Sequence, residues 1–236
     1  MRDGGKVGGP LSVVGGRLGA MPSLIAVNRV HGFLPTPKGG QTAIDKRPVP
    51  GPVGVGPLGL EGDRQLDTAH HGGTEQALYA YAVEDADAWS ADLGREIPPG
   101  LFGENLTTEG LDVTHALIGE QWRIGEGEDA VVVEVTSPRV PCVTFQDRMG
   151  EPHWIKRFTE RGAPGAYLRV VRTGSVEAGM PVTVVRRPSH GVTLQQTFPR
   201  GEPAVMADLL AAERAGEVRL DPEMRRHAEL AVSRQG

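Results

Sequence analysis

The 236-residue sequence predicts a mainly β fold: a small barrel of short antiparallel strands with peripheral helices and a C-terminal helical appendage. Three observations carry this. Gly 33 and Pro 19 are high while aromatics are only 5%, a mix that joins many short strands by tight turns. Apolar alternation recurs at strand spacing, most clearly where Val131, Val133 and Val135 alternate with Val132, Glu134 and Thr136, the period of a half-buried strand. Past Arg186-Arg187-Pro188 the pattern turns helical. The expected organisation is a disordered extension over 1–21, a β-barrel domain over 22–187 and a helical extension over 188–236.

Composition excludes several function classes. A single cysteine, Cys142, rules out an internal disulfide framework, a Cys-rich zinc site and a protein-ligated iron-sulfur cluster. A net charge of -5 and a pI near 5.8 give no general attraction to phosphate polymers, so nucleic acid is not the expected partner. No stretch approaches the length of a membrane-spanning helix and no export signal is evident, so the expected location is cytoplasmic.

The elements follow in order. Residues 1–20 are broken by glycines and show no periodicity, which predicts disorder. A strand over Ser23–Val30 then marks Met21 as the expected natural start. From His31 to Gly56 the density of Pro, Gly and Lys predicts a long surface loop in which Lys46 and Arg47 could hold an anion. The glycine pair Gly72-Gly73 follows His70 and His71, and exposed backbone N–H groups there can form an anion nest or a plain tight turn. Neighbours on a strand face opposite sides, so these two histidines do not share one ion.

Val83–Leu93 reads as a helix, with Ala82, Ala86, Trp89 and Leu93 on one stripe and Gly94 as its stop. Pro98-Pro99-Gly100 turns into Leu101 to Thr108, where Gly103 permits close approach and Asn105 offers donors and an acceptor. Strands Glu120–Ile124 and Ala130–Thr136 form a hairpin that delivers the chain to Ser137-Pro138-Arg139-Val140-Pro141-Cys142. Helix Glu151–Arg161, strands Ala166–Val171 and Met180–Val185, and helices from Pro203 and Asp221 complete the chain. Beside two prolines and two arginines, Cys142 suits a thiolate that binds soft metals; the same setting also suits an inert buried cysteine.

Four motifs in one order, Gly59-Leu60-Glu61-Gly62-Asp63, His71-Gly72-Gly73, Phe102-Gly103-Glu104-Asn105-Leu106 and Pro138-Arg139-Val140-Pro141-Cys142, resemble the MOSC family, the molybdenum cofactor sulfurase C-terminal domain. The resemblance covers roughly residues 22–186, and the helical tail resembles the extension of the bacterial branch that detoxifies N-hydroxylated purine bases. It implies a pyruvate-kinase-like β-barrel that binds the molybdenum cofactor, Mo-molybdopterin, with Cys142 as thiolate ligand to molybdenum. It further implies a pocket wall at His71, Gly72 and Gly73, a pterin contact at Asn105, and Arg139 with Lys46 or Arg64 at the cofactor's phosphate.

Two features depart from the family pattern. His70 stands where an aliphatic residue or lysine is expected, and the sequence has neither an aminotransferase-like domain nor an iron-sulfur module. The implied activity is reduction of N-hydroxylated compounds to amines, with electrons from an external flavin or iron-sulfur reductase and His71 as a candidate proton relay. The alternatives are a cofactor or sulfur carrier using a Cys142 persulfide without turnover, and a barrel-shaped binding module with an inert thiol. Whether the chain forms a homodimer is left open by the sequence.

Overall fold

The computed structural model describes residues 21–36, 39–64, 66 and 72–234. Residues 1–20, where disorder is expected, and both His70 and His71 lie outside the described residues. The strands in chain order are β1 (Ser23–Pro35), β2 (Gln41–Pro48), β3 (Val53–Gly56), β4 (Gly59–Leu60), β5 (Leu78–Ala82), β6 (Leu106–Glu109), β7 (Gln121–Ile124), β8 (Val131–Pro138), β9 (Ala166–Arg172), β10 (Gly174–Val176) and β11 (Val182–Arg186). The helices are α1 (Val83–Leu93), α2 (Val143–Met149), α3 (Trp154–Arg161), α4 (Leu194–Thr197), α5 (Pro203–Arg214) and α6 (Pro222–Ser233).

Eight strands make one mixed sheet in the order β11-β7-β8-β9-β5-β6-β1-β2, and β10-β3-β4 make a small second sheet. All pairings in the large sheet are antiparallel except β5 with β6. The start of β1 meets the start of β11 through a bridge between Ser23 and Pro181, flanked by Leu24 N–H to Met180 O (2.9 Å) and Val182 N–H to Pro22 O (2.7 Å). The sheet therefore curls onto itself, joined there by a bridge and not by a full ladder. Inside it lie Leu24, Val27, Leu78, Leu106, Val131, Val133, Val135 and Leu168, all essentially inaccessible to water.

The scarce aromatic residues are concentrated in a second core. Tyr79, Tyr81, Trp89, Phe102, Phe145, Trp154 and Phe158 pack together where α1, α2 and α3 cover the sheet. Edge-on contacts such as Tyr81–Phe102 (4.8 Å) and Phe102–Phe145 (5.3 Å) lock this layer. Phe145 anchors α2, and Cys142 is the residue at which that helix begins.

Two expectations need correction. The long surface loop over residues 31–56 is largely sheet: β1 continues to Pro35 and pairs with β2, and β3 follows. Pro35 and Pro48 lie at strand ends, and β2 is an edge strand, where a missing N–H is tolerated. The expected helix at Glu151–Arg161 is α3, which begins only at Trp154 because His153 before it is in the left-handed conformation (φ 56°), and α2 is a further short helix ahead of it that ends at Gly150. Elsewhere α1 and its Gly94 stop stand as the periodicity predicts. No helix among the described residues is long and apolar enough to cross a membrane.

Candidate functional site

A cavity of about 820 Å³ is bordered by Cys142, Lys46, Arg64, Gly72, Asn105 and Arg139. Six residues singled out from sequence thus share one wall, although they come from five separate stretches. Gly73 stands outside the lining and has a positive φ (74°) that glycine adopts without cost. His71 cannot be placed, since it lies outside the described residues.

The cationic part of the wall is built on Asp63. Lys46 Nζ donates to Asp63 Oδ2 (2.8 Å), as does Asn105 Nδ2 (2.8 Å), while Val30 N–H donates to Asp63 Oδ1 (2.9 Å). Burial lowers the Lys46 pKa, and Asp63 opposes that effect. Asn105 also donates to Asn28 O (3.3 Å) and accepts from Tyr79 N–H (3.2 Å). Its two amide hydrogens are therefore spent on the scaffold, and only the carbonyl oxygen keeps capacity for a ligand.

Glu104 serves the same scaffold. It is buried and accepts from Gly100 N–H and from Thr107 Oγ1 (3.0 Å), which pins the Pro98–Gly100 turn. Gly100 has positive φ (86°) and presses on the Lys46 carbonyl so closely that a Cβ would collide with it. The turn thereby fixes the backbone from which Lys46 projects.

Arg139 is buried against this aromatic layer. Its guanidinium lies 3.8 Å from the Phe145 ring centroid and 5.1 Å from that of Tyr79, and donates to Phe102 O. Burial weakens its charge, but Tyr79, Tyr167 and Cys142 more than offset this and hold its pKa above the ordinary value. Cys142 is half-buried. Ser137, on the same cavity wall, is buried and its hydroxyl has no partner among the described residues.

Sequence reasoning missed two contributors. Asp63 had been noted only as part of a motif, yet it organises Lys46 and Asn105. Asp221, Glu223, Met224 and His227 of the C-terminal appendage also border the cavity, and no local pattern signals that a remote helix returns there.

The model of the MOSC domain matches residues 67–183. An uncharacterized Bacillus subtilis protein, YflK, is 34% identical over 155 residues, which cover 66% of this chain and 68% of YflK. The chain belongs to the MOSC domain family. Another MOSC relative, Escherichia coli YiiM, is 32% identical over 68% of this chain and 70% of its own length. A Gibberella moniliformis protein named "Reductase" is 33% identical over 62% of this chain, but the match spans only 26% of that longer protein. The crystal structure of Geobacillus stearothermophilus YiiM superposes with a TM-score of 0.70 at 25% identity, covering 89% of this chain and 98% of that one. The mainly β architecture with attached helices is thus that of the MOSC proteins.

Proposed function

We propose that this MOSC protein binds the molybdenum cofactor and reduces N-hydroxylated compounds, of the hydroxylaminopurine or amidoxime type, to amines. Electrons come from a separate flavin or iron-sulfur reductase. The observation that carries this reading is the meeting of the sole thiol with Lys46, Arg64 and Arg139 on one cavity.

The residues fit such a cofactor on three counts. About 820 Å³ is room for a cofactor-sized molecule. Cys142 offers the soft sulfur that molybdenum accepts, and no group of three His, Cys, Asp or Glu among the described residues competes as a metal site. The Ser137 hydroxyl, unpartnered among the described residues, and the cationic side chains suit an anionic, hydrogen-bonding ligand.

When bound, the cofactor supplies the two-electron redox chemistry. The chain holds Cys142 at the start of α2, where Phe145 packing keeps it in place. Arg139 favours negative charge beside the thiol, and together with Lys46 or Arg64 it would hold the cofactor's phosphate. The reading keeps His71 as a proton relay. The similarity to a protein named "Reductase" supports reduction as the class of reaction.

The test uses protein produced in a molybdopterin-competent host, supplied with a chemical reductant and a panel of amidoximes and hydroxylaminopurines. Amine formation is expected. Protein that contains molybdenum yet reduces none of the panel would transfer the assignment to a cofactor or sulfur carrier.

A further inference from the structure

The cavity around Cys142 is not cationic throughout. Its lining includes Asp221, Glu223, Met224 and His227, all from the cap and first turns of α6. Glu223 is about half exposed, with 54% of its side chain accessible, so a ligand can reach it. Its helix neighbours Arg226 and His227 stand 4.0 and 3.9 Å from the carboxylate, beyond hydrogen-bond range. Asp221 is different: it is buried and caps α6 through Glu223 N–H (3.3 Å).

α6 is held firmly against the barrel. Met206 and Leu209 of α5, with Met224 and Ala228 of α6, are buried in the main core. Arg169 of β9 donates to Glu75 (2.7 Å), to Glu134 and to Arg219 O (3.1 Å), and Arg219 in turn donates to Glu75 (2.7 Å). Glu75 lies two residues beyond Gly73, so one ionic knot ties the end of the glycine turn to the approach to α6.

A second observation points to a ligand. The Ser137 hydroxyl is buried on the same cavity wall and unpartnered among the described residues. Buried polar groups are nearly always paired, so such a hydroxyl in a binding cavity is matched to what the cavity receives.

We infer that Glu223 is the specificity-determining side chain of this site, with Ser137 as its partner in recognition, and that it selects amidine-type or amino-heterocyclic molecules and rejects anionic ones. A carboxylate accepts two N–H donors from an amidinium or exocyclic amino group. It repels a carboxylate or phosphate on the incoming molecule. That the selected molecules are substrates rests on the reduction proposed above, whereas selection by charge does not.

The full chain, purified from a molybdopterin-competent host, is titrated with benzamidine, neutral benzamide and benzoate, and binding is read by calorimetry. Glu223→Gln is expected to weaken benzamidine about fivefold to tenfold, the scale of the difference between a charged and a neutral hydrogen bond, and to leave benzamide unchanged. Glu223→Lys shifts preference toward benzoate, and Ser137→Ala weakens both benzamidine and benzamide. Glu229→Gln, on the same helix but outside the cavity lining, leaves all three unchanged. Equal benzamidine affinity in wild type, Glu223→Gln and Glu223→Lys would overturn the inference. A charge preference that follows residue 223 in protein reducing no N-hydroxy compound would sink the reductase reading while upholding the selection.

Discussion

Asp63 gathers three donors from separate parts of the chain, Lys46, Asn105 and Val30 N–H. Both members of the Lys46–Asp63 pair are buried, at 8% and 7% side-chain exposure. Asp63→Ala strands a buried ammonium and should cost about 3–5 kcal/mol in urea unfolding. Lys46→Met should cost less, because Asp63 keeps two of its donors. Glu104 gives a pH signature. Burial, only partly countered by its hydrogen bonds, raises its pKa above 4.5. A raised carboxylate pKa contributes stability below the unfolded value that is lost as pH rises through the folded one. The Tm of Glu104→Gln relative to wild type should therefore climb as pH increases from 4.5 upward; a constant difference would refute the burial effect. Of these residues the sequence marked Asn105 through a motif position and Lys46 as a candidate anion ligand, whereas the role of Asp63 as a hub depends on contacts 17 to 42 residues away.

Among the elements, those with local signals were legible. α1 has a full apolar stripe and a glycine stop, and β8 has clear alternation. β2 was not, because Lys46-Arg47-Pro48 looks like loop; long-range pairing with β1 makes it a strand. Its local propensity was overruled by partners. The start of α3 at Trp154 was hidden for a different reason: His153 adopts positive φ without being glycine. Glycine substitutions separate close approach from mere backbone freedom. Gly59 (φ 112°) abuts Ala77 O, while a Cβ on Gly73 (φ 74°) would meet no described atom within 4 Å. Gly73→Ala should cost about 1–2 kcal/mol from handedness alone. Gly59→Ala should add an overpacking penalty of about 1–3 kcal/mol, and denaturant midpoints will rank the two.

At the scale of the whole molecule, the barrel and the C-terminal helices share one core. Val218, Leu220, Met224 and Ala228 are buried in the same cluster as Val133 and Ile118. Removing residues 188–236 should therefore uncover apolar barrel surface and yield aggregated protein that binds ANS on size-exclusion analysis. A monodisperse truncated protein with a cooperative melt would contradict the shared core. The sequence disclosed that this tail is helical, but not that it completes a cavity wall, since that follows only from where the chain returns in space. The family motifs and the cavity meet at Cys142, and the proposed function depends on its binding metal. Molybdenum content measured by mass spectrometry on wild type and Cys142→Ser, both from a molybdopterin-competent host, tests this most directly. The account predicts molybdenum in the wild type and its loss from the folded variant; equal metal content in the two proteins would contradict it.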